Sequence, residues 1–527
     1  MFKFPRNLSS RAMPSLLDSV TLLAALCCAG ACYALYHHVR ASKSPLPPGP
    51  RGLPLVGNLF DAPATFQWKV FKEWSKKYNS DIIHLDLAGT PLIILCSYEA
   101  TDTLLEKRSS MYSDRPSLPM IMDLMGWDYN IAFMKYGEEW RTHRRLFNQA
   151  FHAKAAEKYQ PQQFEATLAL LKRLLHTSDG FSEHFRLMTG ELIMSVAYGI
   201  DVLPSDDPYI TVAEEAIHTL SVANIPRKYL VDEFPILKHV PNWFPGAGFK
   251  RQAAEWRKLA RAMMETPFAE TKRQMESGIA RASFTSDSLN HLKESASVYY
   301  AEPHVKATAG SMFIGGADTT VSALRTFILA MLANPDAQRQ AQAEIDFVTG
   351  RKYLPSFDDR DALLYVSALV KEVLRWENVA PFALPHFLTT EDEYHGYRLP
   401  AGSIVIGNTW GILHDEDTYP DPHTFNPERF LLDGKPNPAV RDPDAAFGFG
   451  RRFCPGRHMA VSSLWISVVS ILATFDIKKA VDDSGNVIEP SYEYLSGALC
   501  TPLPFKCAIT PRSKEAVALI VGGEIGA

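Results

Sequence analysis

One cysteine lies in a glycine-rich stretch whose residue types suit metal ligation. Residues 447–456 read Phe-Gly-Phe-Gly-Arg-Arg-Phe-Cys-Pro-Gly, with Cys454 near the end. Pro455 suits the first position of a helix, and the apolar residues after it recur at helical spacing: Met459, Leu464, Val468 and Leu472. The sulfur would then lie at a helix N-terminus, where free N–H groups and the helix dipole favour the thiolate over the thiol.

The residues around the cysteine indicate what such a thiolate would face. Gly448 and Gly450 allow the backbone to approach a flat and bulky group, and Phe447 can pack on that group. Arg452 can pair with an anionic edge, so the implied group is a haem. The alternative is a structural cysteine buried in a turn. The pattern has five fixed positions: Phe447, Gly450, Arg452, Cys454 and Gly456. Such a pattern arises by chance in about one chain in 10⁴, which favours a cysteine that binds a metal over a structural cysteine.

This stretch resembles the cysteine-ligand loop of the cytochrome P-450 superfamily, the haem-thiolate monooxygenases. The resemblance implies that Cys454 is the axial ligand of the haem iron. It also implies that four loop residues contact the cofactor, namely Phe447, Gly448, Arg452 and Gly456. The fold it implies is mainly α-helical with small β-sheets, the α+β cytochrome P-450 fold.

A tryptophan and an arginine four residues apart provide a second candidate contact with the cofactor. Trp140 and Arg144 share one face of a predicted helix. A guanidinium binds a carboxylate through two hydrogen bonds and an indole N–H adds a donor, which suits a haem propionate. On their own, such pairs are more often cation–π packing. By resemblance, His386 and Arg452 are further candidates for binding the propionates.

A glycine pair interrupts a long apolar helix predicted over about 303–332. Two glycines inside a helix cost about 2 kcal/mol of helix propensity relative to alanine, which points to a function. Gly315 and Gly316 leave room for a small ligand against the backbone, and the Thr319 hydroxyl can bond the carbonyl four residues earlier. The alternative is close helix packing through small residues. By resemblance, the oxygen-activation motif comprises Gly316, Asp318 and Thr319, and the last two are the catalytic candidates.

Three charged residues are predicted to have a structural role. Glu372 and Arg375 are three residues apart on a predicted helix, a spacing that exposed ion pairs also show. Arg429 follows in the sequence Pro-Glu-Arg-Phe. The resemblance implies that these side chains form an interlocked charge network behind the haem.

The segments that position these residues divide the 527-residue chain into five parts. Residues 16–36 are apolar and, as a helix, long enough to span a bilayer, so we expect a membrane anchor rather than a cleaved signal peptide. A short segment, 1–15, precedes the anchor, and a stiff proline-rich linker, 37–54, follows it. The haem-binding domain then covers 55–512. A C-terminal tail, 513–527, shows no clear pattern and is expected to be loose.

Composition excludes some partners. The net charge is −5 and 21% of residues are charged, so nothing indicates binding to nucleic acid. The seven cysteines show neither zinc spacing nor a disulfide framework, which favours a reducing compartment. Positive charges flank the predicted anchor on both sides and do not settle its orientation. The resemblance implies a single-pass protein of the endoplasmic reticulum membrane with a cytosolic catalytic domain.

The family motifs occur in the family's order from residue 45 to about 510. Residues 240–250 and 408–415 look similar to fungal secondary-metabolite oxidases, the group that resembles O-methylsterigmatocystin oxidoreductase. We therefore expect a monooxygenase that inserts one oxygen atom of O₂ into a small lipophilic molecule. Its electrons would come from NADPH through a separate cytochrome reductase. The alternatives are a haem-thiolate isomerase or dehydratase, and a membrane-bound cysteine hydrolase with His458 as base.

The substrate pocket is predicted only by position in the family. The residues expected to line it are largely apolar, which suggests a terpenoid, a polyketide or an aromatic alkaloid-like molecule: Phe313, Ala380, Phe382, Leu384 and Leu499. Asp123 or Asp128 could anchor an amine, although burial statistics favour solvated loop carboxylates.

Overall fold

Helices make up most of the structure, as the sequence predicts. The computed structural model describes residues 44–225, 228–294 and 300–523. In chain order the α-helices are α1 (Gln67–Tyr78), α2 (Tyr98–Thr101), α3 (Ser109–Tyr112), α4 (Glu138–Phe151), α5 (Ala153–Ala156), α6 (Gln160–His176), α7 (Phe181–Tyr198), α8 (Pro208–Ala223), α9 (Leu230–Glu233), α10 (Gly248–Glu276), α11 (Phe284–Glu294), α12 (Glu302–Ala333), α13 (Pro335–Thr349), α14 (Leu364–Trp376), α15 (Thr409–Leu413), α16 (Arg457–Thr474) and α17 (Lys514–Gly522).

The strands form small sheets. They are β1 (Ile82–Leu87), β2 (Thr90–Leu95), β3 (His386–Phe387), β4 (Asp392–Tyr394), β5 (Tyr397–Leu399), β6 (Ile404–Gly407), β7 (Leu431–Leu432), β8 (Lys435–Pro436), β9 (Phe475–Lys479) and β10 (Cys507–Pro511). The largest sheet has the order β1-β2-β6-β3, and β9 pairs with β10. The alternation of apolar Ile83, Leu85 and Leu87 with His84 and Asp86 in the sequence predicts a hairpin here. The hairpin is confirmed as β1–β2, and its turn places both Ala88 and Gly89 at positive φ.

A small unit comprises the described residues 44–47 together with 392–399. Within it β4 pairs with β5 in antiparallel fashion, and the backbone N–H of Arg398 donates to the carbonyl of Pro45. The remaining described residues from Pro48 onwards form the second unit, which contains every candidate site residue.

Two long helices lie in the core of the second unit. Helix α12 runs from Glu302 to Ala333, close to the predicted range, and its C-terminal half is almost wholly buried. Helix α16 begins two residues after Pro455 and buries the predicted apolar stripe. Among the described residues it is the one helix apolar and long enough to cross a bilayer, but 72% of it is buried inside the protein. We therefore interpret α16 as a core helix.

Two segment predictions fall at the ends of the chain. The predicted anchor, 16–36, lies outside the described residues. The expectation of a loose tail over 513–527 is wrong for its described part, because α17 forms there. The Ser513 side chain caps this helix by accepting from the N–H of Ala516, and Ile520 is fully buried.

Candidate functional site

The loop that carries Cys454 is held by its own backbone and by an adjacent turn. The N–H of Cys454 donates to the carbonyl of Phe447 at 2.9 Å. Gly450 has φ 59°, and a Cβ there would lie 1.9 Å from the Leu105 carbonyl oxygen, so only glycine allows this close approach. Gly448 also has positive φ, at 85°. These contacts present the half-buried sulfur just before α16, as the sequence predicts.

The electrostatics of the thiol are less simple than the sequence suggests. Burial raises the pKa of Cys454 above its ordinary value, while the N–H of Gly456 and the cations Arg144 and Arg457 lower it. Burial is the larger effect, so the net shift of the Cys454 pKa is upward, while the Gly456 N–H at the helix start favours the thiolate as predicted. A metal-coordinating thiol is deprotonated by the metal ion, and Gly456 and both cations would stabilise the resulting charge.

Trp140 and Arg144 lie on helix α4, as predicted, and both approach the cysteine loop. Arg144 donates to the carbonyl of Phe453, the residue before the cysteine, at 2.6 Å. The guanidinium carbon of Arg452 lies 4.6 Å from the centre of the buried Trp140 ring. The structure therefore brings together Trp140, Arg144, Arg452 and Cys454, which are far apart in the sequence.

Sequence reasoning missed Arg115. Its side chain is only 5% exposed and donates to the carbonyls of Ala132, Leu384 and Pro385. Burial lowers its pKa well below the ordinary value, and the charge of Arg452 lowers it further. The residue lies in an irregular segment without periodicity, and only its place between Asp114 and Pro116 marked it as unusual.

His386 lies beside Arg115, and its contact with a propionate stays a prediction. Burial, followed by the charge of Arg115, lowers its pKa well below the ordinary value, so the ring is neutral. Its Nδ1 lies 2.8 Å from the carbonyl of Tyr112. Because a carbonyl only accepts, Nδ1 carries the proton and Nε2 is left as an acceptor. This tautomer cannot donate to a carboxylate from Nε2.

The charges around the loop fit an anionic cofactor. Arg452 donates to the backbone carbonyls of Ser113, Ile131 and Met134, and burial lowers its pKa to about 10. Asp114 is the one carboxylate that raises the pKa of both Arg115 and Arg452. Arg115 is buried, and Arg144 and Arg452 are half-buried. Clustered cations that are partly removed from water, with so little counter-charge, are costly unless they are paired, and two propionates would supply the missing charge. The residues present therefore fit a haem.

The glycine pair of α12 has two distinct roles. A Cβ on Gly316 would lie 2.4 Å from Cδ1 of Ile193, so this glycine allows α12 to pack against α7. A Cβ on Gly315 would meet no protein atom within 4 Å, and the same holds for Gly448 and Gly456. The packing alternative thus applies to Gly316, whereas Gly315 leaves room at the backbone for a ligand.

Thr319 and Asp318 lie where the helix carries this glycine pair. The Thr319 hydroxyl donates to the carbonyl of Gly315 at 2.9 Å, as predicted for a locally opened helix. Burial raises the pKa of Asp318, and the positive charge of Arg186 partly offsets this shift. A carboxyl group whose pKa is raised by burial, next to a threonine in the sequence, is suited to proton transfer.

Glu372, Arg375 and Arg429 meet in a fully formed network. Arg375 binds both carboxylate oxygens of Glu372, at 2.7 and 2.8 Å, and Arg429 binds one of them at 3.1 Å. Glu372 and Arg375 are completely buried, and Arg429 is 8% exposed. The two guanidinium groups also donate hydrogen bonds to backbone carbonyls, namely those of Leu413, Pro420 and Thr424. The spacing of three residues therefore belongs to a buried network, not to an exposed pair.

The predicted pocket residues are not equivalent. Phe313 is buried on α12, Ala380 and Leu499 are half-buried, and Leu384 is 40% exposed. Phe382 packs its ring against Trp68 and Phe71, at centroid distances of 5.9 and 5.8 Å, which gives it a role in the core. Asp123 and Asp128 are partly exposed and paired with Lys238 and Arg261, as expected for solvated carboxylates.

Comparisons with known proteins agree with this fold. The profile described as Cytochrome P450 matches residues 47–508. Cytochrome P450 monooxygenase 98 of Postia placenta is 46% identical over 92% of this chain and 94% of its own. Tryptamine 4-monooxygenase of Psilocybe cyanescens is 41% identical over 95% of this chain and 100% of its own. Cytochrome P450 monooxygenase ple1 of Rhodocybe pseudopiperita is 42% identical over 91% of this chain and 92% of its own.

A helical body that presents a cysteine loop beside a cluster of buried and half-buried arginines is typical of the haem-thiolate class. The chain belongs to the cytochrome P450 family. It is a monooxygenase, and its relatives are fungal enzymes. The hydrolase hypothesis is therefore wrong, and in the structure His458 accepts a hydrogen bond from Arg457.

Proposed function

We propose that this monooxygenase inserts one oxygen atom of O₂ into a small lipophilic secondary metabolite, with electrons from NADPH delivered by a separate reductase. The observation that carries the proposal is that Cys454 lies close to the Gly456 N–H and to Arg144. The charge of Arg144 acts on Arg452, and that of Arg452 on Arg115, so the three arginines form one cluster. The bound haem would supply oxygen activation, a reaction that no side chain performs. The isomerase or dehydratase alternative lacks support from the relatives, which are named as monooxygenases.

The residues of this chain have separate tasks in the proposed reaction. Cys454 ligates the iron, while Arg144, Arg452 and Arg115 bind the propionates and Trp140 packs beside them. Gly315 leaves space on α12, where the Thr319 hydroxyl holds a proton and Asp318 exchanges protons with solvent. The apolar residues around Phe313 exclude water from that region.

The proposed substrate class follows from the apolar candidates and from the relatives. Phe313, Leu384 and Leu499 offer mostly hydrocarbon surface, which suits a terpenoid, a polyketide or an aromatic alkaloid-like molecule. One relative is named for tryptamine, an aromatic amine. Because Asp123 and Asp128 already pair with Lys238 and Arg261, neither is available to anchor an amine.

The proposed location is the endoplasmic reticulum membrane, with the catalytic domain in the cytosol and 16–36 as its single anchor. Large apolar side chains exposed in one part of the chain support contact with lipid: Leu230 (65%), Phe234 (60%), Ile236 (74%) and Trp243 (79%). Phe60 and Leu55, shortly after the proposed linker, are exposed by 80% and 79%.

Reduced protein treated with carbon monoxide tests the proposal. We expect the red-shifted Soret band of a haem-thiolate enzyme, and its loss in Cys454→Ser, because coordination through sulfur is removed. Cys96→Ser is the matched control, since that thiol is buried in the core beside β2 and should leave the band unchanged. A normal band in Cys454→Ser would reject the assignment of the ligand.

A further inference from the structure

A buried histidine joins the two helices that carry the cofactor and proton-transfer candidates. His143 lies on α4, one residue before Arg144, and its side chain is 1% exposed. Its Nδ1 lies 2.7 Å from the hydroxyl oxygen of Thr308 on α12, and Thr308 is fully buried. A buried contact of this kind is costly to break, because no water replaces the lost partner of the imidazole.

Glu139 extends this contact at the protein surface. Its Oε1 lies 3.4 Å from Nε2 of His143, and its Oε2 lies 3.4 Å from Nε2 of His304, on the first turn of α12. The Nδ1 of His304 accepts a hydrogen bond from the backbone N–H of Ala301 at 2.9 Å, where that helix begins. One carboxylate therefore bridges a side chain of α4 and a side chain of α12.

The protonation of His143 follows from its neighbours. Burial lowers the pKa of His143 below its ordinary value, although the charge of Glu139 partly offsets this shift, so the ring is neutral at pH 7. A neutral ring carries one proton. With that proton on Nδ1, the Nε2 lone pair would face the Glu139 oxygen at 3.4 Å, so the proton belongs on Nε2. Nδ1 is then an acceptor, and the Thr308 hydroxyl is its donor.

The direction of His143 on α4 also sets the direction of Arg144. Consecutive residues of a helix point about 100° apart around its axis, so a contact that fixes one side chain fixes the helix rotation that aims the next. Arg144 donates to the carbonyl of Phe453, the residue before Cys454. We propose that His143 is a positioning residue, which through Thr308 sets the rotation of α4 on α12 and so aims Arg144 at the cysteine loop and the cofactor. The inference rests on the proposed role of Arg144 in binding a haem propionate.

The partners of His143 are unequal in strength. The Glu139 side chain is 64% exposed, so water screens its attraction, and Glu139→Gln should raise the rate of haem dissociation only a few-fold. Thr308→Val leaves Nδ1 buried without a donor and should raise that rate about tenfold. His143→Leu should have a smaller effect than Thr308→Val, because a threonine hydroxyl without the imidazole can donate to the carbonyl four residues earlier.

Transfer of haem from the full-length protein in detergent to excess apomyoglobin measures this rate. We expect Thr308→Val to accelerate transfer about tenfold, and Thr308→Ser, which keeps the hydroxyl, to stay near the wild-type rate. Thr326→Val is the matched control on the same helix, since Thr326 is fully buried and its hydroxyl oxygen lies 3.4 Å from that of Tyr494. It should lower the thermal midpoint without accelerating transfer.

A double-mutant cycle separates positioning from stability. Arg144→Lys keeps the charge but loses the two-pronged contact with a carboxylate. In that background Thr308→Val should accelerate transfer by less than about twofold, because its effect passes through Arg144. The same acceleration in both backgrounds would overturn the proposal, and so would equal rates for Thr308→Val and Thr308→Ser. If Thr308→Val does not fold, the cycle with His143→Leu decides, with a few-fold acceleration that Arg144→Lys abolishes.

Hydrogen–deuterium exchange tests the helix contact without haem transfer. Thr308→Val should accelerate exchange several-fold in 138–146 and 302–310, whereas Thr308→Ser and Thr326→Val should leave both peptides unchanged. Unchanged exchange in Thr308→Val would overturn the contact, and faster exchange with wild-type haem transfer would overturn the positioning of Arg144. The carbon monoxide spectrum of the wild-type protein tests the proposed function separately, so the two failures are distinguishable.

Discussion

Thr319 combines two features, a half-buried hydroxyl group on helix α12 and a glycine one turn earlier that leaves open space. Its hydroxyl donates to the carbonyl of Gly315, and Asp318 lies one residue earlier. In the proposed reaction this residue would hold a proton while the apolar side chains nearby limit water.

Thr319→Ala should uncouple electron consumption from product formation. Alanine has the higher helix propensity, so the fold and cofactor content should survive. Without the hydroxyl, we expect several-fold less oxygenated product per NADPH consumed and more hydrogen peroxide. Thr320→Ala, the same change one residue later, is the control. Full product yield in Thr319→Ala would make Thr319 a packing residue.

Glu377, which follows α14, is the second residue whose environment has a measurable consequence. Burial raises the pKa of its carboxyl to about 7, although Lys69, Arg375 and the Trp410 indole lower it. The Trp410 indole N–H lies near this carboxyl without completing a hydrogen bond. The folded protein therefore binds a proton here more tightly than the unfolded chain, whose carboxyl has the ordinary pKa of 4.5.

Glu377→Gln should stabilise the protein at pH 8 and not at pH 5. Because the folded pKa lies above the unfolded one, protonation of Glu377 in the folded protein adds on the order of 3 kcal/mol to the free energy of unfolding. This contribution is complete below about pH 4.5 and is lost as the pH rises to about 7. Glutamine resembles the protonated acid at every pH. Thermal midpoints at both pH values measure the effect, and an equal shift at pH 5 and pH 8 would contradict it.

At the scale of elements, the Glu372 network joins helix α14 to the segment around Arg429. The carboxylate of Glu372 also accepts from the backbone N–H of Asn426. One carboxylate thus compensates two buried guanidinium groups and fixes a loop. Removing one partner from such a set strands charge in the interior.

Glu372→Gln should destabilise the protein by about 3–5 kcal/mol, because Arg375 and Arg429 lose their counter-charge. We expect a lower thermal midpoint and a smaller yield of folded, haem-loaded protein. Glu255→Gln in the exposed pair with Lys258 should cost less than about 1 kcal/mol. If the two variants have the same midpoint, the network is not a major source of stability.

The sequence predicted those elements whose signals are local. The spacing of Trp140 and Arg144 sufficed to place both on one face of α4, and alternation sufficed for the β1–β2 hairpin. Arg115 was missed because its segment has no periodicity and its role depends on carbonyls distant in sequence. The upward net shift of the Cys454 pKa was missed for a related reason: desolvation depends on tertiary packing, which a motif does not contain.

At the scale of the whole molecule, the basic residues near the cysteine loop could steer an acidic reductase. The proposed patch comprises Arg141, Arg145, Arg451 and Arg457. The structure shows that Glu138 pairs with both Arg141 and Arg145, so it neutralises part of the patch. Arg457 lies over the ring of Phe453, the residue that precedes Cys454, at 4.5 Å from the ring centre.

Because Glu138 opposes the patch, two opposite substitutions test the same electrostatic effect. Reversing Arg141 and Arg145 to Glu should raise the reductase concentration needed for half-maximal turnover several-fold and weaken its salt dependence. Glu138→Gln should do the reverse, lowering that concentration and strengthening the salt dependence. Lys258→Glu, a charge reversal on α10, is the control for net charge alone. A docking surface must respond to the sign of its own charge. If both substitutions change reductase binding in the same way, or if Lys258→Glu has an effect of the same size, these arginines belong to an ordinary solvated surface.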